Sequence, residues 1–152
     1  MPVDAKQNET GNKPLEAHIQ SYIASHPEAK SNDLHTLHTA ILEIMPDAKL
    51  WFLDGRNIEG KVVSNPNIGY GSQFLKYADG KSKEFYQIGI SANTSGISVY
   101  VLGLDDKEYL RNTYGHEIGK ASVSGYCIKF KTLKDINLDV LKNVVKDAAD
   151  RK

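Results

Sequence analysis

The chain has 152 residues, of which 40% are hydrophobic, and its 19 Lys and Arg balance 19 Asp and Glu, leaving no net charge at pH 7. That length is enough for one domain burying about 68–70% of its unfolded surface, and the balanced charge offers phosphate backbones and anionic lipid no long-range attraction, so neither nucleic acid nor membrane is an expected partner. A single cysteine, Cys127, allows neither an intramolecular disulfide nor a multi-cysteine zinc site and predicts a reducing, cytoplasmic setting.

Residues 1–14 are polar, lack the apolar run of a signal peptide and read as a flexible arm ahead of a single domain over 15–150. No stretch approaches the roughly 18 uninterrupted apolar residues of a spanning helix. Leu15, Ile19, Tyr22 and Ile23 form a helical stripe that ends before Pro27, and Leu34, Leu37, Ile41, Ile44 and Met45 form a second that stops before Pro46. The region from Trp51 to Pro66, which includes Asp54-Gly55 and KVV, fits a strand, a lid or a plain excursion. From Ile68 the period changes to two. Ile68, Tyr70, Ser72, Phe74 and Lys76 fall on one face of a predicted strand, and Asp79-Gly80 supplies a hairpin turn. Tyr86, Ile88 and Ile90 alternate in the next strand, and after a turn at Asn93 to Gly96, Ile97, Val99 and Val101 alternate in a third.

Asp105 is placed to cap a short helix that Gly115 ends, and Tyr126, Ile128 and Phe130 mark a further strand. Asn137 can cap a last helix with its stripe at Leu138, Leu141, Val144, Val145 and Ala148. The expected fold is α+β, in the order ααβββαβα: two N-terminal helices, a curved antiparallel sheet of four to five strands, a short helix and a C-terminal helix.

Three segments, IGYGSQFLKYADGK, QIGISANTSGISVYVLGL and IGKASVSGYCIKFKTLKDINLDVLKNVV, resemble the YdhG-like family, described as domain of unknown function 1801. The resemblance covers about residues 15–149 and is most specific in the last segment. It implies an α+β fold with helices against a curved antiparallel sheet, defines no catalytic motif, and includes relatives described as frataxin-like iron chaperones. Iron as cargo is thus implied by the family alone. Many relatives carry a basic Ser-Pro-Arg-Lys type turn where this chain has Ser91-Ala92-Asn93-Thr94, so an anion contact from that turn does not carry over.

The residues suggest several chemistries. His35 and His38 lie three apart on the second helix, with His18 and His26 on its neighbour, and Asp105, Asp106 and Glu108 could offer hard oxygen ligands to iron. Solvated histidines and helix-capping carboxylates account for the same residues. Cys127 sits mid-strand, where thiols are usually inert, and no nucleophile elbow, P-loop or dinucleotide fingerprint occurs, so no catalytic residue is assigned. Trp51, Tyr70, Tyr86, Tyr100 and Tyr126 are candidates to line a groove, with Lys120, Lys129 and Lys131 at its rim for a carboxylate or phosphate. The expected function is a non-catalytic binding or carrier domain, monomer or weak homodimer, with a small molecule or metal as cargo. A protein-interaction module and an enzyme using Lys120 or His116 for acid-base work are the alternatives.

Overall fold

The computed structural model describes residues 13–57, 59–62, 65–76, 78–104 and 106–150. Helices α1 (Lys13–Ala24) and α2 (Glu28–Ile44) meet at Pro27, whose extended backbone begins α2 and whose carbonyl accepts from the Ser31 N–H at 2.8 Å. There follow β1 (Leu50–Leu53), β2 (Asn67–Tyr70), β3 (Gln73–Lys76), β4 (Ser82–Phe85), β5 (Ile88–Asn93) and β6 (Gly96–Val101). Helix α3 (Tyr109–Tyr114), β7 (Ser122–Val123), β8 (Cys127–Phe130), a 3-10 turn (Leu133–Asp135) and α4 (Leu138–Ala149) complete the chain. Six strands form one antiparallel sheet in the order β1-β2-β5-β6-β8-β7, and β3 and β4 pair separately as a hairpin.

The register puts one apolar set on a single face. Tyr70 pairs with Ile88 and Ile88 with Val101, while Ile68, Ile90, Val99 and Ile128 form the adjoining row. These side chains share one buried cluster with Leu15, Ile19 and Ile23 of α1, Leu34, Leu37 and Ile41 of α2, and Leu141, Val144 and Val145 of α4. At about 1.5–3 kcal/mol per fully buried aliphatic side chain, this is the principal stabilising term. Helices therefore cover one face of the sheet. Among the described residues, no helix is long and apolar enough to cross a membrane.

The α+β order is as expected, and the departures concern short elements. The anticipated strand over 68–76 breaks at Gly71, whose φ of 76° suits glycine best. Gly71 donates its N–H to the Lys49 carbonyl and accepts from Trp51 Nε1, both at 2.8 Å, so the break is fastened to β1. Phe74 consequently does not share a face with Tyr70: it is 62% exposed, while Tyr70 is 0% exposed. LWFL becomes β1, and the following excursion is pinned by an Arg56–Val62 bridge. With the two-residue β7, the main sheet reaches six strands. Asp79-Gly80 lies in the loop joining β3 to β4, as its composition predicts. The proposed cap at Asp105 lies outside the described residues.

Asn137 does cap α4, its Oδ1 accepting from the N–H groups of Asp139 at 3.0 Å and Val140 at 3.3 Å. Asn137→Ala leaves those donors to solvent and is expected to cost about 1 kcal/mol, whereas Asn137→Asp keeps the cap. Thermal unfolding of the two variants checks this: the alanine variant should melt about 2–4 °C lower and the aspartate variant close to the parent.

Candidate functional site

The sheet face turned away from the helices carries the groups of interest. Its register sets Trp51 beside Gly69, Gly69 beside Gly89, Gly89 beside Tyr100 and Tyr100 beside Cys127. The glycines make room for a ring. A Cβ on Gly69 would stand 2.6 Å from the Tyr86 Cβ, and one on Gly89 would stand 2.5 Å from the Tyr86 Cε1, so the Tyr86 ring lies flat across β2 and β5. Phe85 stacks on Tyr86 at 4.3 Å, Trp51 meets Phe85 edge-on at 5.9 Å, and Tyr100 lies nearly parallel to Tyr126 at 6.2 Å. Lys49 sits over the Trp51 ring at 4.5 Å and pairs with Glu84 at 3.5 Å, closing the β1 end of this aromatic row.

Trp51, Tyr86, Tyr100 and Tyr126 thus lie on the same side of the sheet, and Tyr70 does not. The reason is parity. The turn between β5 and β6 pairs Asn93 with Gly96, so even positions of β2 and β5 share a face with odd positions of β6. Tyr70 falls on the core side, and Tyr100 on the open side. Tyr126 precedes β8 and reaches Tyr100 from the strand end. Burial, then the nearby Tyr100, Cys127 and Tyr126, push the Tyr86 phenol well above its ordinary range, and burial also raises Tyr100. Burial likewise raises the Cys127 thiol, against opposing contributions from the Lys129 charge and the Ser98 hydroxyl. At neutral pH all three stay protonated, which leaves Cys127 a poor nucleophile.

One step along the strands the same face becomes polar. Ser98 pairs with Lys129, and Lys129 with Ser122, and beyond them lies an open groove of about 730 Å³. Its walls include Asn93, Thr94, Ser95, Ser98 and Ser122, and its cations are Lys120, Lys129 and Lys131, with no carboxylate lining it among the described residues. Two glycines shape it. Gly96 lets the β5–β6 turn approach β8 so closely that a Cβ there would fall 2.2 Å from the Phe130 carbonyl oxygen. Gly119, at φ 101°, packs against Asp135 and Ile136, and the Lys120 N–H is fixed on the Asp135 carbonyl at 3.0 Å. None of the three ammonium groups forms an ion pair among the described residues. A second depression of about 460 Å³ is lined by Asp47, Lys49, Gly71 and Gln87 and mixes both charge signs.

The metal candidates are dispersed. His38 is 2% exposed, with Nδ1 2.6 Å from the Tyr70 hydroxyl and Nε2 2.9 Å from a Glu16 oxygen, so neither ring nitrogen is free. His35 is exposed on α2, His18 stacks near Phe52, and His26 meets the edge of Tyr22. Asp106 accepts the Glu108 N–H at 2.9 Å, and Glu108 pairs with Arg111 at 3.0 Å, so both serve the start of α3. Asp105 lies outside the described residues. Among those described, no three His, Cys, Asp or Glu side chains converge. His116 is exposed and does not line the lysine groove.

Comparison with protein families, curated proteins and solved structures finds no match for this chain. The functional reading therefore rests on the chemistry of the open face. Sequence reasoning missed Phe85, Ser98 and Ser122 there. Gly69 and Gly89 carried the one signal that was available, since glycine inside a strand often marks close approach of another group.

Proposed function

We propose that this domain is a non-catalytic binding or carrier module that holds a small anionic ligand, a carboxylate or phosphate, in the lysine groove. The observation that carries this reading is the convergence of Lys120, Lys129 and Lys131 on one concave surface that, among the described residues, has no neutralising carboxylate, in a chain of zero net charge. Ammonium, hydroxyl and amide groups in such a wall are donors matched to an anion. Burial raises the nearby Cys127 thiol and leaves it a poor nucleophile, which supports binding over nucleophilic catalysis. The placement of His35, His38, Asp106 and Glu108 gives the metal-cargo expectation no support. Membership of the YdhG-like family is likewise our proposal, supported by the quoted segments and by the helix and strand order.

Isothermal titration with inorganic phosphate and a small dicarboxylate tests the proposal. A hydrogen bond to a charged group contributes about 1.5–3 kcal/mol, so Lys129→Ala should weaken phosphate binding about tenfold or more, and added salt should weaken it further. Unchanged affinity after joint replacement of the three lysines would remove the reading.

A further inference from the structure

Resting on the groove reading above, we propose that the ligand carries a planar aromatic ring together with its anionic group. The chemical class is mononucleotide-like, with the base against Tyr100 and Tyr126 and the phosphate at Lys129 and the neighbouring lysines.

The two halves of the site are contiguous. Ser98 and Tyr100 are two residues apart on β6 and face the same side, a separation of about 7 Å along a strand. Cys127 and Lys129 repeat that step on β8, opposite them. Ser98 belongs to the groove wall and pairs across the strands with Lys129, two residues along from the Tyr100–Cys127 pair. Tyr126 is 56% exposed, its plane lies within 20° of Tyr100, and it lines a neighbouring depression with Lys107, Glu108 and Arg111. Base–aromatic stacking contributes about 1–3 kcal/mol per base. A bare anion would use the lysines and leave this surface idle. An extended nucleic acid would need a basic track along the surface, and this chain carries no net charge.

The test compares inorganic phosphate, adenosine, adenosine monophosphate and a short single-stranded oligonucleotide by titration calorimetry. The monophosphate should bind at least tenfold more tightly than phosphate. Tyr126→Ala, at an exposed position, should abolish that advantage and leave phosphate affinity unchanged. Equal affinity for phosphate and the monophosphate overturns the ring assignment while the groove reading stands. If neither binds, the groove reading fails and this inference falls with it. Tighter binding of the oligonucleotide than of the monophosphate overturns the assignment in favour of a nucleic-acid surface.

Discussion

Gly89→Ala is expected to destabilise the domain by about 1–3 kcal/mol, although alanine in a strand ordinarily gains about 0.5–1 kcal/mol over glycine. The cost arises because the added methyl would stand 2.5 Å from the Tyr86 ring, which must lift from the sheet and disturb its stacking on Phe85. Tyr86→Ala alone should cost about 3–5 kcal/mol, as for other large aromatic truncations, since the ring is buried over the two glycines. In the Tyr86→Ala background the sign reverses. Gly89→Ala should there be neutral or slightly stabilising, because the three atoms nearest the added methyl all belong to the removed Tyr86 ring. Denaturant unfolding of the four proteins measures the coupling directly. Additive effects would mean that the Tyr86 ring does not lie on the sheet.

The second large effect is expected at the buried His38. A Glu16–His38–Tyr70 chain satisfies every group when the Tyr70 hydroxyl donates to Nδ1 and Nε2–H donates to Glu16. Burial, and secondarily the Glu16 charge, holds the Tyr70 phenol well above its ordinary range, so it remains a donor. His38→Leu strands that hydroxyl in the core and is expected to cost about 1–3 kcal/mol, or about 2–12 °C in Tm. Adding Tyr70→Phe removes the stranded group and should recover part of the loss.

The same chain sets a pH dependence. Partial burial raises the Glu16 carboxyl, but hydrogen bonds from Gln20 and His38 outweigh it and bring the net value below 4.5. A carboxyl depressed by folding adds stability above its unfolded value and loses that contribution as pH falls through the folded one. The stability advantage of the parent over Glu16→Gln should therefore shrink on acidification below about pH 4.5. An advantage that persists or grows under acid would show that Glu16 is not held in this way.

The helices were legible because each announces itself in several ways at once. In α4, Asn137 caps, and Leu141, Val144, Val145 and Ala148 all lie buried on one stripe. β1 and β7 were not: LWFL is apolar at every position and shows no alternation, and β7 has only two residues. His38 looked like a solvated partner of His35, yet it adjoins the Leu34–Leu37–Ile41 stripe and is drawn under α1, where Glu16 meets it. The lysine groove was half legible. Lys120, Lys129 and Lys131 were named as rim cations, but Ser98 and Ser122 join them only through cross-strand register. Register also misplaced Tyr70, because the parity between strands depends on the loop joining them.

The most direct measurement is an amide chemical-shift titration of the whole chain with inorganic phosphate. The account predicts saturable shifts concentrated at residues 93–98, 120–122 and 129–131, around the lysine groove. Saturable shifts confined to the helical face, or no saturable shift anywhere, would contradict it.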